Sequence, residues 1–354
     1  MAPLAASVLG FVALGLGVSA IGPALSNLRE HVGVGVVTVA LVLPATSAGN
    51  LLGATTAGLL VDRRWGHAVF GSALAATAGG LWVVATTRSL TAMIAAAFVI
   101  GLASGMIDVA GNTLVAWRPG LDQTRSLNGL HLGFGIGALA GPAIVGVSIA
   151  WRGDITLVAV AVAIVGAAAI LGLVRRERPA PPPHHAAIGE ARGPVAVVAV
   201  FFALYVGVEI GFASWTHTYA QEIDLGGPAA ATGLTASFWA AFTAGRLAVT
   251  AAPRSRPLVV LTASLGLSLA GITALAVAFG SPVLVWPATV VFGLGIGPQY
   301  ATMLAFADRR IALSGRATSW IVAGSALGGI VVPYAFGLVL DRAGATALPF
   351  AALL

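Results

Sequence analysis

Apolar runs of 20 residues or more recur along almost the whole chain, at 3–28, 35–61, 68–87, 90–117, 126–150 and 155–174. After a polar interval they resume at 194–219, 229–251, 257–279, 282–306 and 316–340. A helix rises about 1.5 Å per residue, so roughly 20 apolar residues cross the hydrocarbon of a bilayer. The pattern therefore predicts eleven spanning helices. A final apolar stretch, 345–354, is about half that length and reads as a twelfth helix cut short. The interval 175–193 is rich in proline and charge and is expected to be a mobile surface linker. It divides the chain into an N-terminal six-helix bundle, residues 1–174, and a C-terminal helix bundle, residues 194–354. His184 and His185 in the linker lack a carboxylate constellation and are expected to be solvated, with no metal.

Composition agrees with that pattern. Only 8% of the residues are charged and the mean hydropathy is +0.97, where soluble domains carry about 25% charge. All 18 basic residues are arginine, and their distribution carries an orientation signal. With the amino terminus inside, cytoplasmic loops hold Arg63, Arg64, Arg118, Arg125, Arg175, Arg176, Arg178, Arg192, Arg254, Arg256, Arg309, Arg310 and Arg316. External loops then hold only Arg29, Arg88, Arg152 and Arg342, as the positive-inside rule requires. The expected location is the cell membrane, multi-pass, with the N-terminus cytoplasmic. The first run lacks a basic flank and reads as a helix, not as a cleaved signal. The absence of cysteine excludes disulfides and thiolate chemistry.

The two halves repeat. Aligning Arg125 with Arg316 brings Gly133 onto Gly324, Gly137 onto Gly328, Pro142 onto Pro333 and Gly146 onto Gly337. Gly101 and Gly105 of the fourth span match Gly293 and Gly297 of the tenth. Related six-span halves imply two six-helix bundles with pseudo-two-fold symmetry around a central pathway.

Of the 12 acidic residues, only Asp108 and Glu209 lie deep inside predicted spans, one in each half. A carboxylate at mid-membrane costs several kcal/mol unless it faces protein, water or a partner, so such residues mark transport paths. Each can exchange a proton or, ionised, help coordinate sodium. Asp108 is expected to couple the driving ion, with Glu209 holding solute hydroxyls or sharing the ion. Asn112 lies one helical turn beyond Asp108, and His131 is expected at similar depth on the next span. Asn112, His131 and Asn128 are candidates for solute binding or proton relay. Trp215, at the outer end of the seventh span, can stack on a ring of the solute or anchor at the interface. Gln299 and Tyr300 add polar groups at a glycine- and proline-loosened point of the tenth span. Arg246, the only arginine within a span, is expected to have a structural or gating role, by snorkelling or by pairing with a loop acid; the alternative is direct solute binding, which would favour an anionic solute.

The stretch Gly58-Leu-Leu-Val-Asp62-Arg63-Arg64-Trp-Gly66-His67 resembles the loop signature of the major facilitator superfamily. It departs from that signature by one extra residue before Gly66 and by His67 where arginine is usual. The resemblance implies that Asp62 and Arg63 take part in a cytoplasmic latch. Gly137-Ala-Leu-Ala-Gly141-Pro142 is similar to a motif of family antiporters, but Pro333 repeats it and close packing accounts for it. Three further stretches are similar to the fucose permease and sodium-dependent glucose transporter branch: Asp108-Val-Ala-Gly-Asn112, Leu127-Asn128-Gly-Leu-His131 with its following glycines, and Tyr205-Val-Gly207-Val-Glu209 through Tyr219.

The resemblance implies an all-α membrane protein of the major facilitator fold that moves a small polar solute, a sugar, with a proton or sodium by alternating access. The alternative on the same fold is a proton-driven exporter of drugs or metabolites. An enzyme is not expected, since no HExxH or GxSxG constellation fixes a metal or nucleophile. No cofactor is expected beyond the driving ion. The expected partners are the solute and the lipid bilayer, with no nucleic acid, and the chain is expected to be a monomer.

Overall fold

The computed structural model describes residues 2–39, 41–174, 192–252, 256–278, 281–311 and 313–353. The linker with His184 and His185, and Arg254, lie outside them. The order is α1 (Ala2–Val32), α2 (Val36–Val39), α3 (Val42–Leu60), a π-turn (Val61–Trp65), α4 (Gly66–Thr86), α5 (Leu90–Ala116), α6 (Gln123–Arg152) and α7 (Thr156–Val174). It continues with α8 (Arg192–Glu222), α9 (Gly227–Ala251), α10 (Pro257–Val277), α11 (Pro282–Ile296), α12 (Gln299–Ile311), α13 (Gly315–Ala343), a 3-10 turn and α14 (Leu348–Leu353). The described residues contain no strand.

Nine stretches among the described residues are long and apolar enough to cross a bilayer. One of them, Val42–Thr86, joins two predicted spans through the kink at the π-turn, and α9 is a further 25-residue helix outside that count. All eleven long apolar runs thus fall on helices of a multi-pass membrane protein. Many large apolar side chains stay exposed, among them Val147, Ile164, Leu171, Val197 and Val283, as expected where lipid takes the place of a protein core.

Two runs are interrupted where the pattern shows continuous helix. Run 35–61 is split into α2 and α3, and run 282–306 into α11 and α12. The second break sits at Gly297–Pro298, because proline has no N–H to donate and its ring crowds the preceding turn. The extra residue in the loop after α3 is absorbed at Arg64, which takes a left-handed conformation with φ 67° inside the π-turn.

The chain clusters into two compact units. One comprises Met1–Leu121, Gly129–Val195 and Ile311–Ala323; the other comprises Asp122–Asn128, Ala196–Arg310 and Gly324–Leu354. Within the first, Gly133 and Gly137 of α6 lie against the carbonyls of Val8 and Val12 of α1, with no room for a Cβ. Within the second, Gly324 and Gly328 of α13 lie in the same way against Ala199 and Ala203 of α8. All four residue pairs are separated by the same 191 positions.

A second set follows the same logic. Gly101 and Gly105 of α5 meet the carbonyls of Thr46 and Asn50 on α3; Gly293 and Gly297 meet those of Phe238 and Phe242 on α9. Here the common offset is 192. In a bilayer, helices gain little by hiding apolar surface from lipid, so close backbone approach at small residues is what holds them together. The repeat in the sequence is therefore a repeat of packing contacts.

Candidate functional site

In the first unit the polar residues of α5 and α6 form a connected chain. Asp108 is half-buried, while Asn112 and His131 are buried. The Asn112 Nδ2 donates to the Asp108 backbone carbonyl at 2.9 Å and to its carboxylate Oδ1 at 2.6 Å, as the one-turn spacing allows. That leaves the Asn112 Oδ1 as an acceptor toward His131 Nε2 at 3.0 Å. Because an amide oxygen cannot donate, Nε2 must carry the hydrogen. The His131 ring also stands edge-on to Phe11, with centroids 5.3 Å apart. A change of charge on Asp108 is thus one side chain removed from α6.

At one end of the same unit, the loop after α3 meets the start of α13. Asp62 accepts the Gly315 N–H at 2.6 Å and the Arg316 N–H at 3.1 Å. These are orphan donors of the first turn of α13, where a carboxylate also complements the helix dipole. Alongside, the Gly58 N–H donates to Ser319 Oγ at 2.9 Å, and Gly58 and Gly315 are in close backbone contact. The Trp117 indole donates to the Leu313 carbonyl at 2.9 Å. Arg63, expected beside Asp62, is exposed.

In the second unit, Glu209 on α8 and Arg246 on α9 are 8% and 3% exposed. Arg246 does not reach the surface, as snorkelling would require. Its Nε donates to the Gly297 carbonyl at 2.9 Å, at the break between α11 and α12, and its guanidinium lies 4.1 Å from the centroid of the Phe242 ring. Glu209 stands in the electrostatic field of Arg246. Tyr205, one turn before Glu209 on α8, is buried, and its hydroxyl makes no hydrogen bond of good geometry. Tyr300 closes this set with its ring, 6.0 Å from Tyr205 and 4.5 Å from Phe202.

The remaining candidates are engaged by other partners. Gln299 is buried and turned toward α10, where its Nε2 donates to Ser268 Oγ at 2.9 Å. Trp215 donates its indole N–H to the Pro333 carbonyl at 3.0 Å and packs on Gly337. Asn128 donates to the Thr124 carbonyl and to Thr302 Oγ1, at 2.9 and 3.1 Å. Tyr205 is the residue that sequence reasoning passed over. Its signal is the four-residue spacing to Glu209 on one helix face. No group of three or more metal-ligating side chains occurs among the described residues.

The chain is similar to the sodium-dependent glucose transporter 1A of Mus musculus, 24% identical over 373 residues covering 93% of this chain and 87% of the relative. Its fold is similar to that of the transporter FucP in the outward conformation, with a TM-score of 0.82 and 19% identity over 99% of this chain and 95% of the other. It is also similar to the proton:xylose symporter XylE bound to 6-bromo-6-deoxy-D-glucose, with a TM-score of 0.73 and 12% identity over 99% and 94%. At those identities the two structural likenesses speak for the fold. A sequence model described as Major Facilitator Superfamily matches residues 7–333. The chain is a membrane transporter, not an enzyme, and it belongs to the major facilitator superfamily.

Proposed function

We propose that this transporter moves a small, uncharged, polyhydroxylated solute, a sugar, coupled to a proton or sodium gradient by alternating access of its two halves, 1–174 and 194–354. The names of its relatives support the solute class, and the arginine distribution supports a cytoplasmic amino terminus. In this reading Asp108 takes the driving cation, while Glu209, with Tyr205, Arg246 and Tyr300, binds solute hydroxyls. The solute and the bilayer are its partners, and it works as a monomer.

One observation carries the assignment of Asp108: its carboxylate is held by the neutral amide of Asn112, whereas Glu209 already lies in the field of a guanidinium. A cation arriving at Glu209 would be repelled by Arg246; at Asp108 it meets a carboxylate and an amide. Cation binding at Asp108 weakens the Asn112 donation to Oδ1, and that amide is what His131 on α6 bonds. This gives the ion two states to distinguish, which coupling demands.

The test is Asp108→Asn, which keeps size and much of the hydrogen bonding but removes the charge. In proteoliposomes, gradient-driven accumulation should fall to the level of passive equilibration. Solute exchange should persist, and thermal stability should be checked beside it. Normal accumulation across several pH values and sodium concentrations would remove Asp108 from the coupling role. The same matrix of pH and sodium identifies the driving ion.

A further inference from the structure

We infer that Arg246 is a positioning residue for the solute site: a tethered cation at the carbonyl end of α11 that holds the start of α12, and with it Tyr300, in place. The inference deepens the proposed reading and rests on it for the solute contact at Tyr300.

The break at Gly297–Pro298 leaves backbone groups to be satisfied. The ladder of α11 ends where the Gly297 N–H donates to the Gly293 carbonyl at 3.1 Å, and that of α12 begins with the Thr302 N–H on the Pro298 carbonyl, also at 3.1 Å. The carbonyls of residues 294–297 fall between the two ladders. Pro298 has no N–H to offer the first of them. Within a membrane such carbonyls are tolerated where neighbouring groups satisfy them, and together they form the negative end of the α11 dipole.

Two side chains meet that need, one from α9 and one held by α10. The Arg246 Nε donates to the Gly297 carbonyl at 2.9 Å, from a residue only 3% exposed. The Gln299 Nε2 reaches back to the Gly295 carbonyl at 3.3 Å while it donates to Ser268 Oγ at 2.9 Å. The surface of α9 is shaped to the break. Gly245, the neighbour of Arg246, leaves no room for a Cβ against the Leu294 carbonyl, and Gly297 lies in the same way against the Phe242 carbonyl. The Phe242 ring, one turn before Arg246, is 4.1 Å from the guanidinium. The cation is therefore fixed by its own helix, and an ionised donor bonds a carbonyl more strongly than a neutral one.

The break carries part of the solute site. Tyr300 lies just past Pro298, and its ring packs on Phe202 and Tyr205 of α8, with centroids 4.5 and 6.0 Å apart. Thr302 follows in the same turn and accepts from Asn128 at 3.1 Å. Without the bond at Gly297, a glycine and a proline are left to set the direction of these first residues of α12. Arg246 thus acts on the solute through Tyr300, by its Nε, in addition to any hydroxyl contact of the same side chain.

The experiment uses purified full-length protein in detergent, with thermal unfolding as the readout and glucose as the solute probe. Arg246→Ala should lower Tm and bind glucose about tenfold more weakly, the loss expected from one buried hydrogen bond to a charged group. Millimolar guanidinium, the fragment removed, should restore both saturably, raising Tm by roughly 2 °C or more. Tetramethylammonium, a cation with no N–H, should restore neither, and wild type should respond to neither ion. Pro298→Ala supplies the missing N–H and lets one ladder run through, so adding Arg246→Ala to it should cost little.

A folded Arg246→Ala protein that responds to glucose as wild type does, or that guanidinium leaves unmoved, overturns the inference. So does a cost of Arg246→Ala that is unchanged in the Pro298→Ala background. If Arg246→Ala alone does not fold, Pro298→Ala/Arg246→Ala must fold, and its failure to do so also overturns the inference. Recovery of Tm by guanidinium, where glucose does not stabilise even the wild type, supports the tethered cation and removes the sugar reading, so the two failures are distinguishable.

Discussion

Asp62→Ala is the most direct probe of how the loop after α3 is held to the start of α13. The native carboxylate receives two backbone N–H groups, at 2.6 and 3.1 Å, across more than 250 residues of sequence. Hydrogen bonds to a charged group contribute about 1.5–3 kcal/mol each, and a carboxylate at a helix N-terminus adds about 0.3–1 kcal/mol. Asp62 is half-buried and the Arg316 bond is exposed, so the longer bond contributes little. A net contribution of about 2–3 kcal/mol remains, equivalent to a factor of about 30–150 in the opening equilibrium. Thr318, 1% exposed in the first turns of α13, is a suitable reporter. Because the chain has no native cysteine, Thr318→Cys provides a single reactive thiol. Its modification by a membrane-permeant maleimide should accelerate about 30- to 150-fold when Asp62→Ala is added. Asp62→Asn, which retains one acceptor, should fall between the two. Labelling at an unchanged rate, in protein of unchanged Tm, would refute the idea that these two bonds hold the loop closed.

Two other perturbations address packing and pH. Gly137→Val and Gly328→Val each drive a side chain into the carbonyl of a facing helix, Val12 or Ala203. Each should cost at least the roughly 1–3 kcal/mol typical of overpacking, with similar losses of Tm; a neutral result at either site would sink the repeat as a packing device. At the turn between α6 and α7, burial alone would raise the pKa of Asp154. Hydrogen bonds from Thr156 and the charge of Arg152 outweigh it and hold the carboxyl below its ordinary value of 3.8. A lowered folded value means stabilisation present above the unfolded pKa of about 3.9 and lost as pH falls through the folded value. Wild type should therefore lose stability relative to Asp154→Asn below about pH 4. Parallel acid unfolding curves for the two proteins would contradict this.

The long helices were legible because in a membrane the apolar run is itself the element, and the repeat was legible because its contacts need glycine. The pairing of Asp108 with Asn112 could be read from one-turn spacing on a single helix. The contact of Arg246 with the Gly297 carbonyl could not be read that way, since the two residues lie 51 positions apart and nothing local relates them. Gln299 shows the opposite failure. Its polarity in an apolar segment invites a ligand, but its amide is engaged by Ser268 on α10, a partner 31 residues away. Arg64 was unreadable for a third reason. An extra residue in a loop can be absorbed in many ways, and only the backbone reveals that one residue takes the left-handed conformation.

The ladder of glycine contacts also records where the two halves have been free to diverge. The offset is 191 for the contacts of α1 with α6 and α8 with α13, and 192 for those of α3 with α5 and α9 with α11. The second half has therefore gained one residue between Ala203 and Phe238, and lost one between Gly297 and Gly324, relative to its counterpart. Both intervals contain turns, whereas the contacts within each matched pair of helices have kept their register. Length has drifted where the backbone is unconstrained and has been held fixed wherever one helix lies against another. Chemistry has drifted too: the position related to Asp108 by the 192-residue offset is Tyr300. A duplicated scaffold that preserves its spacing can exchange its polar residues one copy at a time, so the two copies need not carry the same chemistry.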